Sequence, residues 1–434
     1  MSVLNTAVSG MMADSNWLST ISQNVANANT TGYKNTETQF SALVDAAPGQ
    51  LPQVAGVTSN MVSYNSLQGQ DESTQTVSDL AVQGAGFFIV SDGSGDTFLT
   101  RNGSFVPDSK GYLVNSAGYY LMAAPTTTAT ATSQSVNTVS GLVKVNVDGA
   151  AASATASTTA AMTANLPSSS TAVDPVATPN LIPSNNVAGA TPTAETTMTA
   201  YDALGGAHTV NLYFTNEGSG NWDVAAYDSA AATPTASGGP FPYTSAALGT
   251  ATLTFGATGA VTQINTGGVT TLATAATPTM SIALSSTQNI TLNLSNMTQL
   301  SSAFGVTAST VDGNAPGTMD GTAISQSGVL SFQYSNGASS DAYIIPLANV
   351  ASPDSLTSVL GDAFQTNYAS GALQVNNAQT GGLGTINSSS LENSTVDLAT
   401  ELTNMVQAQS SYEANSKVFQ TGTNIFDVLN NLKS

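Results

Sequence analysis

A seven-residue apolar repeat at each end of the chain constrains its fold more than any other feature. Near the start, Leu4, Met11, Leu18 and Val25 recur at that spacing, with Ala7, Ile21 and Ala28 on the adjoining series and Asp14 breaking it. Near the end, Leu391, Leu398, Met405, Tyr412, Phe419 and Phe426 recur without a break, and Leu402, Ile425, Leu429 and Leu432 widen the face. This spacing keeps one side of a helix turned toward one partner. A single stripe is most simply a helix lying on its own core. Two stripes at the extremes of one chain predict terminal helices that pair as a coiled coil. Their polar faces carry Asn, Gln, Ser and Thr rather than Glu and Lys, so the charge pairs that solubilise an isolated coiled coil are missing. These helices are therefore expected to pack against protein on several sides. Asn29-Thr30-Thr31-Gly32 stops the first helix, and Ser394 with Asp397 opens the last as a capping box.

Between the ends the pattern changes to short strands and turns. Residues 35–75 read as an irregular connector, interrupted at Ala47-Pro48-Gly49 and Leu51-Pro52. Gly86-Phe87-Phe88-Ile89-Val90, Thr97-Phe98-Leu99-Thr100, Tyr112-Leu113-Val114-Asn115 and Tyr119-Tyr120-Leu121-Met122 are strands separated by Gly-rich turns. Hairpins are expected at Met198–Phe214, turning at Leu204-Gly205-Gly206, and at Leu253–Ile264. Another runs from Gly328 through Asn336-Gly337 to Leu347. The Thr/Ala/Ser tracts around these strands have the composition of linkers, but the recurring strands favour a β-domain with long loops. The expected fold is mostly β with α-helical termini, its β-domains nested between the two helices. Residues 1–30 with 395–434 form the helical domain, and 31–75 with 361–394 the connector. Residues 76–145 with 296–360 form an inner β-domain, and 146–295 an outer one.

Composition removes most chemistry. Six Lys and Arg stand against 26 Asp and Glu, a net charge of −20. Clustered cations for phosphate are absent, which argues against nucleic-acid binding. There is no Cys and one His, His208, so thiolate metal sites, Cys nucleophiles and most triads lack parts. No basic, apolar, cleavable leader is visible at the start, and no apolar run is long enough to insert in a membrane as a helix. Gly84-Ala85-Gly86 has Ile89 where a dinucleotide fingerprint needs its third Gly. Asp92-Gly93-Ser94-Gly95-Asp96 and Asp312-Gly313-Asn314 are better hairpin turns than Ca²⁺ loops. No catalytic, cofactor or metal residues are assigned.

The residues Asn24-Val25-Ala26-Asn27-Ala28-Asn29-Thr30-Thr31-Gly32-Tyr33-Lys34 resemble the N-terminal motif of the bacterial flagellar rod and hook axial proteins. Ala81-Val82-Gln83-Gly84, Thr100-Arg101-Asn102-Gly103 and Gly111-Tyr112-Leu113-Val114 are similar to that family's first β-domain. Gly382-Leu383-Gly384, Leu391-Glu392-Asn393-Ser394 and Asn404-Met405-Val406 are similar to its C-terminus. Thr199-Ala200-Tyr201-Asp202 through Val210, with Asp312-Gly313-Asn314-Ala315-Pro316-Gly317, resembles the outer domain of its hook branch.

The resemblance implies a helical homopolymer, a curved tube that passes torque from rod to filament. It also implies rod, hook-cap and hook–filament junction proteins as partners. Export would run through the flagellar type III apparatus to the extracellular hook, without a cleaved signal. Assembly would rest on Leu4, Met11, Leu18, Ile21 and Val25 of the first helix and on Leu398, Leu402, Met405, Tyr412, Phe419 and Phe426 of the last. In the motif, Asn24, Asn27, Gly32, Tyr33 and Lys34 mark a junction, where Lys34 is expected to touch a neighbouring subunit. The free ends are expected to order on joining neighbours. The alternatives are a distal rod protein with an inserted domain and, from another class, a cell-surface adhesin.

Overall fold

The computed structural model describes residues 2–45, 53–126, 139–233, 239–267, 269–272 and 277–432. They form two units, one of residues 1–150, 321–333 and 339–434, the other of residues 151–320 and 334–338. No helix among the described residues is long and apolar enough to cross a membrane.

The first unit holds both terminal helices, α1 (Ser2–Ala26) and α2 (Leu398–Leu432), which pack against each other. Asp397, rather than Ser394, caps α2. Its carboxylate accepts from the Ala399 N–H at 3.0 Å and from the Thr400 hydroxyl at 3.0 Å. Those bonds hold the carboxyl below its usual pKa, as expected where backbone donors are unpaired at a helix start.

The expected irregular connector is instead a long antiparallel hairpin, β1 (Thr36–Asp45) with β2 (Gln53–Ser63), paired from Thr36↔Ser63 to Asp45↔Gln53 with a register shift between Leu43 and Val44. Pro48, Gly49 and Pro52 lie outside the described residues. The hairpin lies on α1. Trp17 meets Phe40 edge to face at 5.5 Å, and Asn16 Nδ2 donates to Ser59 Oγ at 2.9 Å. Its pairing is not marked by burial alternation, because Phe40, Leu43 and Met61 stay exposed.

The β-body of this unit is built around strand Phe87–Ser91, every residue of which is buried. It pairs with Thr97–Thr100, Tyr120–Pro125 and Pro346–Asn349. Phe87, Ile89, Leu99, Val350, Leu356 and Phe364 fill one core. Two short ladders close the nesting. Thr385–Ser388 pairs with Leu80–Gln83, and Ser390–Glu392 with Asp71–Ser73. The chain thus returns beside its own beginning before α2 starts.

The second unit is a six-stranded antiparallel meander and a five-stranded mixed sheet centred on Thr159–Pro167. Residues 298–311 flank that central strand, so they join this unit rather than the inner β-domain where the sequence reading put them. The meander is covered on both faces, as alternation along Asn221–Asp228 requires. Trp222, Val224 and Ala226 enter one core, while Ala225 and Tyr227 join Tyr213, Phe241 and Tyr243 in a second. The Pro-rich loops pack over that second core, where Tyr227 donates to the Pro183 carbonyl at 2.7 Å.

Candidate functional site

The helices pair through a seam of mostly small and polar residues, which Leu4 and Ile21 of the apolar set join. On α1 the buried positions include Ala7, Asp14 and Ile21, again seven apart, with Gly10, Ala13, Thr20 and Asn24 beside them. On α2, Glu401 and Ala408 are buried, and the same series continues through Asn415 to Gly422. A Cβ on Gly10 would lie 2.7 Å from the Asn415 amide, and one on Gly422 would lie 2.7 Å from Leu4. The two glycines therefore leave room for the Asn415 and Leu4 side chains of the facing helix. Two polar pairs set the register. Asn415 Nδ2 donates to Asp14 Oδ2 at 2.8 Å, and Asn24 Nδ2 donates to Glu401 Oε1 at 2.9 Å. Early residues of α1 meet late residues of α2, so the pair is antiparallel. Asp14 is thus the locking residue of the seam and not a break in it, comparable to the single buried polar residue that fixes coiled-coil register.

The residues expected to form the pairing stripes lie beside that seam. Ile21 is buried, while Leu4, Met11, Leu18, Val25, Met405 and Phe419 are half-buried. Leu398, Leu402, Tyr412 and Phe426 keep between 41% and 49% of their surface exposed. Val406, Val418, Ile425 and Val428 extend the exposed apolar surface. The Leu398 series is three residues out of step with Glu401, which places it about 60° around the helix at ~100° per residue. Apolar spacing found the helices but marked the face the chain leaves uncovered.

The N-terminal motif is an anchor inside the chain. Asn24 bonds both backbone groups of Thr36, donating to its oxygen at 2.7 Å and accepting from its N–H at 3.1 Å. Tyr33 donates its hydroxyl to Asn24 Oδ1 at 3.3 Å. Asn27 donates to the Gln23 carbonyl at 2.9 Å and accepts from the Thr30 hydroxyl at 3.1 Å, finishing α1. Gly32 sits at φ +73°, and its N–H donates to the Glu392 carbonyl at 2.8 Å. A Cβ there would lie 2.6 Å from the backbone of Arg101 and Asn102, so only glycine fits.

Lys34, expected to face a neighbouring subunit, is turned inward in this chain. Its side chain is 1% exposed, and its ammonium donates to the Leu67 carbonyl and to Glu392. The fully buried Glu392 carboxylate also takes Arg101 Nη1 at 3.2 Å and the Gly69 N–H at 2.7 Å. Arg101 further donates to the carbonyls of Val82 at 3.2 Å and Gly84 at 2.8 Å, with its guanidinium 5.1 Å from the Phe87 ring centre. Burial pushes Lys34 and Arg101 below their usual pKa, and Glu392 pulls both back up. This cluster joins the start of the connector, the β-body and the run into α2. The sequence reading did not assign Arg101 or Glu392 a role. One signal was available, since Arg101 is the only Arg in the chain. Among the described residues, no group of three or more His, Cys, Asp or Glu is placed to hold a metal ion.

Four family models match the chain in order. They are described as the flagella basal body rod protein at residues 4–34, the flagellar hook protein FlgE/F/G D1 domain at 81–149, the flagellar basal body protein FlaE D2 domain at 165–314 and the flagellar basal body rod FlgEFG protein C-terminal region at 387–432. Paired termini around nested β-domains thus define an axial protein of the bacterial flagellum. Flagellar hook protein FlgE of Brucella abortus is 38% identical, over 99% of this chain and 98% of its own length. The FlgE proteins of Rhizobium meliloti and Escherichia coli K12 are 36% and 30% identical over nearly the whole of both chains. The chain belongs to the flagellar hook protein FlgE family.

Proposed function

We propose that this chain is the structural subunit of the flagellar hook, a helical homopolymer that forms a curved tube and carries torque between rod and filament. The observation that carries the reading is the uncovered apolar stripe of α2 beside a seam already satisfied within the chain. A stripe left open after the helices have paired is surface for another subunit. Fully burying a large apolar side chain contributes roughly 1.5–3 kcal/mol. Eight half-exposed side chains, from Leu398 to Val428, would then contribute on the order of 8 kcal/mol on docking.

In this reading residues 1–30 and 395–434 line the tube and assemble through Leu4, Met11, Leu18, Ile21 and Val25 with Leu398, Leu402, Met405, Tyr412, Phe419 and Phe426. Asn24, Asn27, Gly32, Tyr33 and Lys34 hold the junction between that wall and the β-domains. Residues 31–75 with 361–394 are the connector. The outer domain, expected at 146–295, sets curvature and stiffness, because its sparsely charged polar surface, without Lys or Arg, suits contacts that are remade as the tube bends. Rod, hook-cap and junction proteins and the type III export apparatus are its further partners. Export to the extracellular hook proceeds without a cleaved signal, and the role is structural and not enzymatic.

The test is assembly of the purified chain, followed by light scattering and electron microscopy. The wild type should form short tubes with a central channel. Val406→Glu with Leu402→Glu should remain monomeric with both units folded. Tubes from this variant would refute the reading.

A further inference from the structure

In the second unit, residues 168–191 form a strap across one face of the six-stranded meander. Near its start the Val173 N–H donates to the Asn216 carbonyl at 2.8 Å. Its middle is a single helical turn, Pro183–Asn185. Tyr227 moors that turn by donating to the Pro183 carbonyl. Asn186 moors it again, donating to the Tyr243 carbonyl at 3.0 Å and accepting from the Tyr243 N–H at 2.7 Å. Between these moorings Ser184 covers Asp223, which is only 6% exposed. Ser184 is its one hydrogen-bond partner among the described residues, with the N–H 3.4 Å from Oδ2. A charge-assisted bond is shorter, ~2.7–2.9 Å, so this contact replaces little of the water that burial removed.

The groups facing Asp223 offer a carboxylate no help. Thr215 is directly opposite on the neighbouring strand, yet its buried hydroxyl has no hydrogen-bond partner. Glu217 on that strand adds a like charge, and burial holds it above its own usual pKa. Tyr213 and Tyr227 lie on the same face, and burial raises both, so they keep their protons. The strand on the other side places Thr252 opposite and carries no charge. On the strap, the one ionisable residue is Asp174, which is exposed and bonded to the Val176 and Ala177 N–H groups. The second unit contains no Lys or Arg. Its one His, His208, pairs with Asp202 and stands seven residues before Thr215 on the same strand, ~23 Å away. A buried carboxylate without a cation is far costlier than the neutral acid. It is relieved by a proton, or by moving whatever covers it. Strand Asn221–Asp228 is paired on both sides and holds Asp223 in place. The strap hangs by a few bonds and is the part free to open locally.

We propose that Asp223 is a proton-operated latch for this strap. As the neutral acid it lets Ser184 and the turn Pro183–Asn185 close over the meander. On losing its proton it drives them off, so that water reaches the carboxylate and the face carrying Tyr227 and Tyr243 is uncovered. The latch belongs to the single chain and stands apart from the polymer reading above. Its sign follows from the two states of the acid. Under the strap, burial pushes the carboxyl up to about 6; uncovered, it returns to the ordinary ~3.9. Closure is therefore fully favoured below pH ~4 and is lost as pH rises through ~6. The whole span changes the opening equilibrium roughly 100-fold, of which about tenfold falls between pH 5 and pH 8.

The test is hydrogen exchange of the full chain, unassembled, at pH 5 and pH 8, with each rate divided by the intrinsic rate at that pH. Peptides spanning 176–191 should be about tenfold less protected at pH 8. Peptides of strand Asn221–Asp228 should keep their protection. Asp223→Asn retains the shape and removes the charge, so its strap should be as protected at pH 8 as at pH 5. Equal strap protection at both pH values in the wild type overturns the latch, and that comparison needs no variant to fold. A pH-dependent strap that persists in Asp223→Asn also overturns it. So does an equal loss in strand Asn221–Asp228, which would mean that the unit loosens as a whole.

Discussion

Replacing Glu392 by Gln isolates the anchor that ties both ends of the chain to the β-body. The Glu392 carboxylate is fully buried and serves Lys34, Arg101 and the Gly69 N–H together. Glutamine keeps the shape but removes the only buried anion facing two buried cations. Breaking a buried ion pair from one side costs about 3–5 kcal/mol. A ceiling follows from Lys34 itself, which can escape by losing its proton. Neutralising a lysine of ordinary pKa ~10.4 at pH 7 costs about 4.6 kcal/mol, at ~1.36 kcal/mol per pH unit. The expected loss is therefore about 3–5 kcal/mol in the first unit.

The variant should also acquire a pH dependence. Its folded Lys34 would hold its proton less tightly than the unfolded chain does, so stability should rise as pH climbs toward the unfolded lysine pKa. Denaturant-dependent hydrogen exchange of peptides spanning 80–105 reads the first unit. With Trp17 of the first unit replaced by Phe, the fluorescence of Trp222, buried in the second unit, serves as internal control. A loss below about 1 kcal/mol would refute the argument, since that is the scale of an exposed pair. An equal loss in the Trp222 transition would refute it as well.

Three further outcomes are expected. Gly32→Ala should cost about 3 kcal/mol in the first unit by the same exchange measurement, because it combines a left-handed conformation with a clash against the Arg101 backbone. Asn415→Leu leaves the buried Asp14 carboxylate without its donor and crowds Gly10, so exchange across residues 7–21 should speed up by the equivalent of about 2 kcal/mol. Burial pushes the Asp223 carboxyl up to about 6. The folded second unit then keeps a proton that the unfolded chain has lost, and its stability falls as pH rises from ~4 through ~6, by about 3 kcal/mol. Asp223→Asn should recover up to that amount at pH 7 in urea unfolding followed at Trp222; no change or a further loss would contradict it.

How much of this was legible in the sequence depended on what each feature must touch. The terminal helices were legible because apolar residues at helical spacing mark any face that meets protein. The same signal could not say whether that protein is the chain itself or a neighbour. The seam that pairs α1 with α2 runs through Asp14, Glu401, Ala408, Asn415 and Gly422, residues too small or too polar to stand out in a hydrophobic pattern. The strand Phe87–Ser91 was visible as a continuous apolar run because it is buried on both faces. The β1–β2 hairpin was hidden because its exposed Phe40, Leu43 and Met61 break the burial alternation that reveals a half-buried strand. Lys34 was identified within its motif but assigned outward. Its partner Glu392 is 358 residues away along the chain, and only the nested ladders bring the two together.

The most direct test of the central claim is a high-resolution structure of the assembled polymer. The α1–α2 seam should persist within each subunit, with Asp14 still paired to Asn415. Leu398, Leu402, Tyr412 and Phe426 should be buried against neighbouring subunits. A polymer in which that stripe faces open solvent, or in which the two helices separate so that the stripe itself becomes the intrachain seam, would contradict the account.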